Sequence, residues 1–270
     1  MKQENPIISL INSHTSVRKY RSDAGVSEDD EREIIKAAQR ASTSCNVQAY
    51  TFISVRDRKK LETLAVLSDN SSPIRESSLF LVVCVDEYRL NYATEKAGLE
   101  YYQFRFLDSF VMGIVDAALA AQNAALAAES LGYGVCYIGA FRHKIREVSR
   151  LLGLPKRVFP VFGLALGVPE RKNPLKARLP IEGVWFKETY DAAAAERAVQ
   201  EYDKTMAASG VYEGRRFPLM NRRIREGVNK AEGEHYGWIE HTSRRLSSTE
   251  EEDTRSGLKK ALGEAGFLFE

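Results

Sequence analysis

Apolar positions recur along this chain with two periods, and the changes of period mark out its elements. Asn5 and Pro6 open the run "PIISLIN", and an asparagine cap followed by a first-turn proline starts a short helix. Ser27 likewise caps the acidic first turn of "SEDDEREIIKAAQRAS", whose Ile34, Ile35 and Ala38 fall on one stripe of a second helix. "TFISVRD" reads as a short strand and "RKKLETLAVL" as the helix after it. "LFLVVCVDEY" is almost continuously apolar and rich in valine, the pattern of a strand covered on both faces. "VCYIGAF" and "VFPVFGLALGVP" are further strands, separated by the amphipathic "KIREVSRLLGLP", which Gly153 and Pro155 end.

The longest feature runs from Leu107 to Gly134, with small or apolar residues on nearly every face and Gly132 and Gly134 at its end. A helix apolar all round is a membrane span or a central core helix. Asp116, Gln122, Asn123 and Glu129 interrupt this one, which favours the core helix and no span. Its alanines leave room for a close approach by another backbone, as at a helix-packed dimer interface. Beyond the proline-punctuated "ERKNPLKARLP" the chain turns helical and polar, with "DAAAAERAVQEYDKTMAAS", a basic stretch from Gly214 to Arg225 and a final helix ending "GEAGFLFE". Strands come singly among many helices without strict alternation, so the fold class is α+β. The change of character divides the sequence into a core, 1–190, and a helical extension, 191–270, belonging to the same domain and forming an arm toward a partner.

Composition narrows the function classes. The 270 residues are 44% hydrophobic and 28% charged, ordinary for a globular protein, and a net charge of +2 does not call for a nucleic-acid partner. "MKQENPIISL" has no signal-peptide pattern, and Cys45, Cys84 and Cys136 form neither a disulfide framework nor a C-x-x-C pair, so a cytoplasmic location is expected. No Walker A sequence, no G-x-G-x-x-G between strand and helix, no H-E-x-x-H and no G-x-S-x-G occur, and the four histidines lack metal-ligand spacing. No metal site is expected, and an enzyme with this sequence would leave its difficult chemistry to a bound cofactor.

Four segments carry polar groups that such a cofactor could use. "SHTSVRKY" sets His14, Ser16, Arg18 and Lys19 close together, and "KAR" adds Lys176 and the planar fork of Arg178, a set suited to a phosphate or simply to solvated loops. "YIGA", Tyr137 to Ala140, ends a strand on a glycine, which either lets a flat ring approach the backbone or makes an ordinary turn. "STSCNVQAY" joins a helix to a strand through small polar groups that would suit a polyhydroxyl chain or a helix stop.

Taken in order, "SHTSVR", "STSCNVQAY", "CYIGAFR", "PVFGLALGVP" and "LKARLP" resemble the FMN-dependent nitroreductase superfamily, in its NADPH-specific branch of nitroreductases and flavin reductases. The resemblance covers about Leu10 to Tyr190 and resumes near "EYDKTM". It implies an intertwined homodimer with FMN at each of two intersubunit sites. His14, Ser16, Lys176 and Arg178 would hold the phosphate end, with Thr15 also lying at the cofactor. Arg18 would face the flavin N1 and O2 edge, where a cation stabilises the negative charge of two-electron reduction. Thr43, Ser44 and Gln48 would lie near the cofactor, and Tyr137, Ile138, Gly139 and Ala140 would wall the N5 side. Thr15 and Ala140 stand where the family often has arginine and glycine. The stretch "DNSSPIRES" lacks the glutamine many relatives place before the buried strand.

The basic run "GRRFPLMNRRIR" has three readings. Arg215 and Arg216 fit the mobile loop that takes the 2′-phosphate of NADPH in that branch. The five arginines would also make a nucleic-acid patch or a solvated surface. The function implied is NADPH-driven reduction of nitroaromatics, quinones or free flavin by a ping-pong hydride transfer that needs no catalytic side chain. The alternatives are a flavin-storing or redox-sensing protein and a nucleic-acid-binding protein.

Overall fold

The computed structural model describes residues 5–171, 173–233, 235–250, 255–267 and 269. It falls into two compact units, Met1–Leu175 with Gly257–Glu270, and Lys176–Ser256.

The first unit is built on a four-stranded sheet of β1 (Tyr50–Val55), β2 (Leu79–Asp86), β3 (Gly134–Ile138) and β4 (Val158–Gly167). Its order is β1-β2-β4-β3 and every pairing is antiparallel. β2 has neighbours on both edges and all eight of its residues are buried, as its unbroken apolar run requires. The helices are α1 (Pro6–Asn12), α2 (Glu28–Ala38), α3 (Arg58–Leu67), α4 (Ser72–Glu76), α5 (Tyr88–Lys96), α6 (Leu107–Ser130) and α7 (Ile145–Leu151). The expected caps are present: Asn5 accepts from the Ile7 and Ile8 amides, and Ser27 accepts from Asp30.

Alternation along β2 divides the core into two layers. Phe80, Val82 and Cys84 pack with α3 and α7, while Leu79, Leu81 and Val83 pack with α2 and α6. Gly163 faces Val82 across the sheet, and a Cβ there would come within 2.2 Å of the Phe80 ring, so the bare backbone makes room for that phenylalanine. Ala117, Ala120, Ala121, Ala124, Ala125 and Ala128 of α6 are buried in the second layer. The alanine face expected at a dimer interface is therefore used within the chain, because small side chains let α6 lie close on the sheet and α2. The face α6 leaves exposed is another one: Leu107, Val111, Val115 and Leu119, spaced four apart. By length and composition alone α6 would suffice to cross a membrane, but here its alanine face is committed to the sheet.

The second unit contains α8 (Ala192–Ala208) and α9 (Trp238–Leu246), and residues 176–190 belong with it. Gly183 packs against Ala198 of α8 with no room for a Cβ. Its interior is polar as well as aromatic. Buried Asp203 accepts the Ile239 amide at 2.6 Å, supplying a cap to the start of α9, and lies 2.6 Å from Nε2 of His235. Arg244, 2% exposed, reaches Glu240, Glu232 and the Phe217 carbonyl. The chain then returns to the first unit, where α10 (Leu258–Glu264) and Phe267 complete an aromatic cluster with Phe110 and Phe159.

Candidate functional site

The segment after α1 is laid against the end of the sheet. The Val17 amide donates to Val135 of β3 at 2.9 Å, and Gly134 admits the Val17 side chain to a place that a Cβ would fill. The Tyr20 hydroxyl lies 2.8 and 2.9 Å from the carbonyls of Val17 and Ala165. Burial raises its pKa and keeps it a proton donor. Asn173 adds a bond from its side-chain amide to the Ser16 carbonyl at 2.9 Å. With Val17 and Tyr20 anchored inward, His14, Thr15 and Ser16 are half-buried and Arg18 is exposed.

The loop carrying Thr43, Ser44 and Gln48 has an unusual backbone. Cys45, Asn46 and Gln48 have φ of 46, 59 and 53°, left-handed values that cost a residue with a side chain roughly 1–2 kcal/mol each. Asp116, buried in α6, holds this shape: its carboxylate accepts the Ser44 amide at 2.9 Å and the Ala49 amide at 3.1 Å.

At the end of β3, Tyr137 packs beside Phe162 and its hydroxyl donates to Gln122 of α6 at 3.2 Å. Burial first, and then the Glu129 carboxylate, push this hydroxyl up to about 12. Ile138 is buried, and the strand gives way at Gly139 to a tight turn from Ala140. A Cβ on Gly139 would come within 2.8 Å of the Arg142 guanidinium, which donates to the Val161 carbonyl. Arg142, absent from the expected site, thus lies against the backbone of the segment expected beside N5.

α6 ties these pieces together. Asp116 holds the 44–49 loop, Gln122 meets Tyr137, and Glu129 binds Nδ1 of His14 at 2.6 Å. The three span 13 residues, about 20 Å of helix axis. The sequence shows them only as polar interruptions of an apolar helix. That was the signal: a carboxylate inside such a helix is buried only with partners, and here each partner is a motif segment.

The remaining expected residues belong to the second unit. Lys176 and Arg178 are exposed, and Arg178 donates to the carbonyls of Lys176 and Ala177. Arg216 lies over the Tyr236 ring at 5.0 Å and, with Tyr212 and His235, lines a cleft of about 130 Å³, while Arg215 is exposed beside it. His241 stacks on Tyr212 at 4.0 Å, and burial together with Arg245 holds its imidazole below the usual range. Arg222 donates to the Ser248 hydroxyl, and the Arg223 amide donates to the Ser247 carbonyl. Among the described residues no cluster of three or more His, Cys, Asp or Glu side chains is placed to hold a metal.

Known proteins resemble this chain over most of its length. The chain is 41% identical to a Cr(VI) reductase of Pseudomonas sp. (strain G-1), over 74% of this chain and 81% of that protein. It is 37% identical to an FMN reductase (NADPH) of Bacillus subtilis (strain 168), over 75% of this chain and 82% of that one. The solved structure of the NfrA1 nitroreductase from B. subtilis superposes with a TM-score of 0.84 at 31% identity, covering 97% of this chain and 99% of that one. Residues 11–168 match the nitroreductase family, and residues 176–270 match the C-terminal domain of that family. This chain belongs to the nitroreductase family.

Proposed function

We propose that the protein is an FMN-dependent oxidoreductase that draws hydride from NADPH and passes it to nitroaromatics, quinones or free flavin in a ping-pong cycle. The observation that carries this reading is α6, whose Asp116, Gln122 and Glu129 fix three of the motif segments the cofactor needs. Within the first unit the donors suit FMN: hydroxyls and an imidazole at 14–16, the exposed cation of Arg18, and backbone without a side chain at Gly139. FMN, when bound, supplies the centre that accepts and returns hydride.

The chain's own residues bind and tune that centre. His14, Thr15, Ser16, Lys176 and Arg178 hold the phosphate through charge-assisted bonds. Arg18 meets the pyrimidine edge, where its charge favours the reduced form. Thr43, Ser44 and Gln48 come from a loop already fixed in shape, so little order is lost on binding. Tyr137, Ile138, Gly139 and Ala140 present the N5 side. Arg215 and Arg216 take the 2′-phosphate of NADPH from the second unit, and Tyr236 steadies Arg216 by a cation–π contact.

A second copy of the chain covers the stripe Leu107, Val111, Val115 and Leu119 together with Ile7, Ile8 and Ile11 of α1. Sedimentation at micromolar concentration checks this, and a flavin-loaded monomer would overturn it.

The absorbance spectrum of the purified protein tests the cofactor, with about one FMN per chain expected. Lys176→Ala with Arg178→Ala should lose most of the flavin while the fold survives, since each charge-assisted bond is worth roughly 1.5–3 kcal/mol before solvent screening. Arg215→Ala with Arg216→Ala should raise KM for NADPH and leave the acceptor half-reaction unchanged. An unaltered preference for NADPH over NADH in that variant removes these two arginines from the reductant site.

A further inference from the structure

Glu129 has no part in the site read from the sequence, yet its place is specific. It lies near the C-terminal end of α6, a helix whose alanines are locked against the sheet, so its backbone is rigid. Oε1 is 2.6 Å from Nδ1 of His14, and the side chains are 12% and 30% exposed respectively. Oε2 is buried with no hydrogen-bond partner. The short segment bearing His14 is held besides by the Val17 amide and side chain and by the Ser16 carbonyl. Glu129 is thus the side chain that decides how the imidazole is turned.

We propose that Glu129 is a positioning residue for FMN: by accepting the Nδ1 proton of His14 it turns Nε2 toward the phosphate. The proposal rests on the reading that His14 contacts that phosphate. A ring held at one nitrogen has its orientation and tautomer fixed, so the other nitrogen meets its ligand without a further loss of rotational freedom. A carboxylate placed to bind the phosphate itself would repel it. Glu129 instead engages the far side of the ring, at Nδ1.

The test is the affinity of the apoprotein for FMN and for riboflavin, which lacks the phosphate, measured by quenching of flavin fluorescence. Glu129→Ala should weaken FMN about tenfold and leave riboflavin unchanged. Glu129→Gln, which can still accept from Nδ1, should stay within about twofold of the parent for FMN. In a His14→Ala background, Glu129→Ala should add nothing, because its only route to the ligand is gone. Equal weakening of FMN and riboflavin would assign Glu129 to the fold alone and overturn the proposal, as would additive losses in the double variant. Full FMN retention by the Lys176→Ala/Arg178→Ala variant would instead remove the phosphate site, whatever Glu129 does. Loss of FMN there, with Glu129→Ala indistinguishable from the parent, would overturn the positioning role only.

Discussion

The two units bury charge in opposite settings. In the first, a sheet and α6 provide a deep apolar core, and the buried carboxylate Asp116 spends both oxygens on a loop at the edge of that core. In the second, buried apolar residues are few (Ala198, Met206 and Tyr236 are examples), and the interior is organised around Asp203 and Arg244 with their partners. Where hydrophobic burial already secures the fold, a buried charge is free to shape a loop. Where it does not, buried charges hold the structure itself, and removing one partner strands the others.

That contrast can be broken most directly at Arg244. Arg244→Ala takes the buried cation from Glu240, Glu232 and the Phe217 carbonyl, although Glu240 keeps Lys230, and the second unit should lose about 3 kcal/mol. Hydrogen exchange should speed in α8 and α9 and stay slow in β2. Equal acceleration in β2 would mean that the units do not differ as described.

Asp116→Ala should cost less, about 2 kcal/mol, since two backbone amides lose an acceptor while the surrounding alanine packing survives. Its signature is local: faster exchange at the Ser44 and Ala49 amides and weaker FMN binding. Asp116→Asn should not rescue it, because one amide proton would then face the asparagine NH₂ group.

The smallest effect sharpens the comparison through pH. Burial raises the Glu87 carboxyl of the first unit above its ordinary 4.5. The folded state then holds a proton that the unfolded state releases, so this unit is favoured in acid and loses stability as pH climbs above 4.5. His241 of the second unit is lowered from 6.5 by burial and Arg245. There the unfolded state takes up the proton first, so stability is complete above 6.5 and falls as pH drops toward the folded value. Unfolding followed by hydrogen exchange from pH 5 to 7.5 should show opposite slopes in the two units. Glu87→Gln should flatten the first and His241→Phe the second.

Much of the first unit was legible residue by residue. Asn5 and Ser27 announce their helices through side chains that reach only two or three residues, and β2 announces its double cover by having no polar position to spare. The candidate cofactor segments stood out because each is a short motif specified by neighbouring residues. The alanine face of α6 misled for a physical reason. Small residues permit close packing but do not say against what, and the sheet of the same chain took the place expected for a partner. Arg142 escaped notice because its relation to Gly139 depends on a turn, and the Asp203 contact to the amide of Ile239 because the two are 36 positions apart.

The sequence by itself determined the elements, the α+β class and the family, since each rests on periodicity, caps or short motifs that act over a few residues. It also supplied the polar positions of α6, but as interruptions without partners. Only the tertiary structure decided that Asp116 meets residues 67 and 72 positions away and that Glu129 meets His14 across 115. Contacts of that range depend on how the strands order as β1-β2-β4-β3 and where that order sets α6. A buried carboxylate must find donors, but which donors it finds is fixed by the packing of the whole unit.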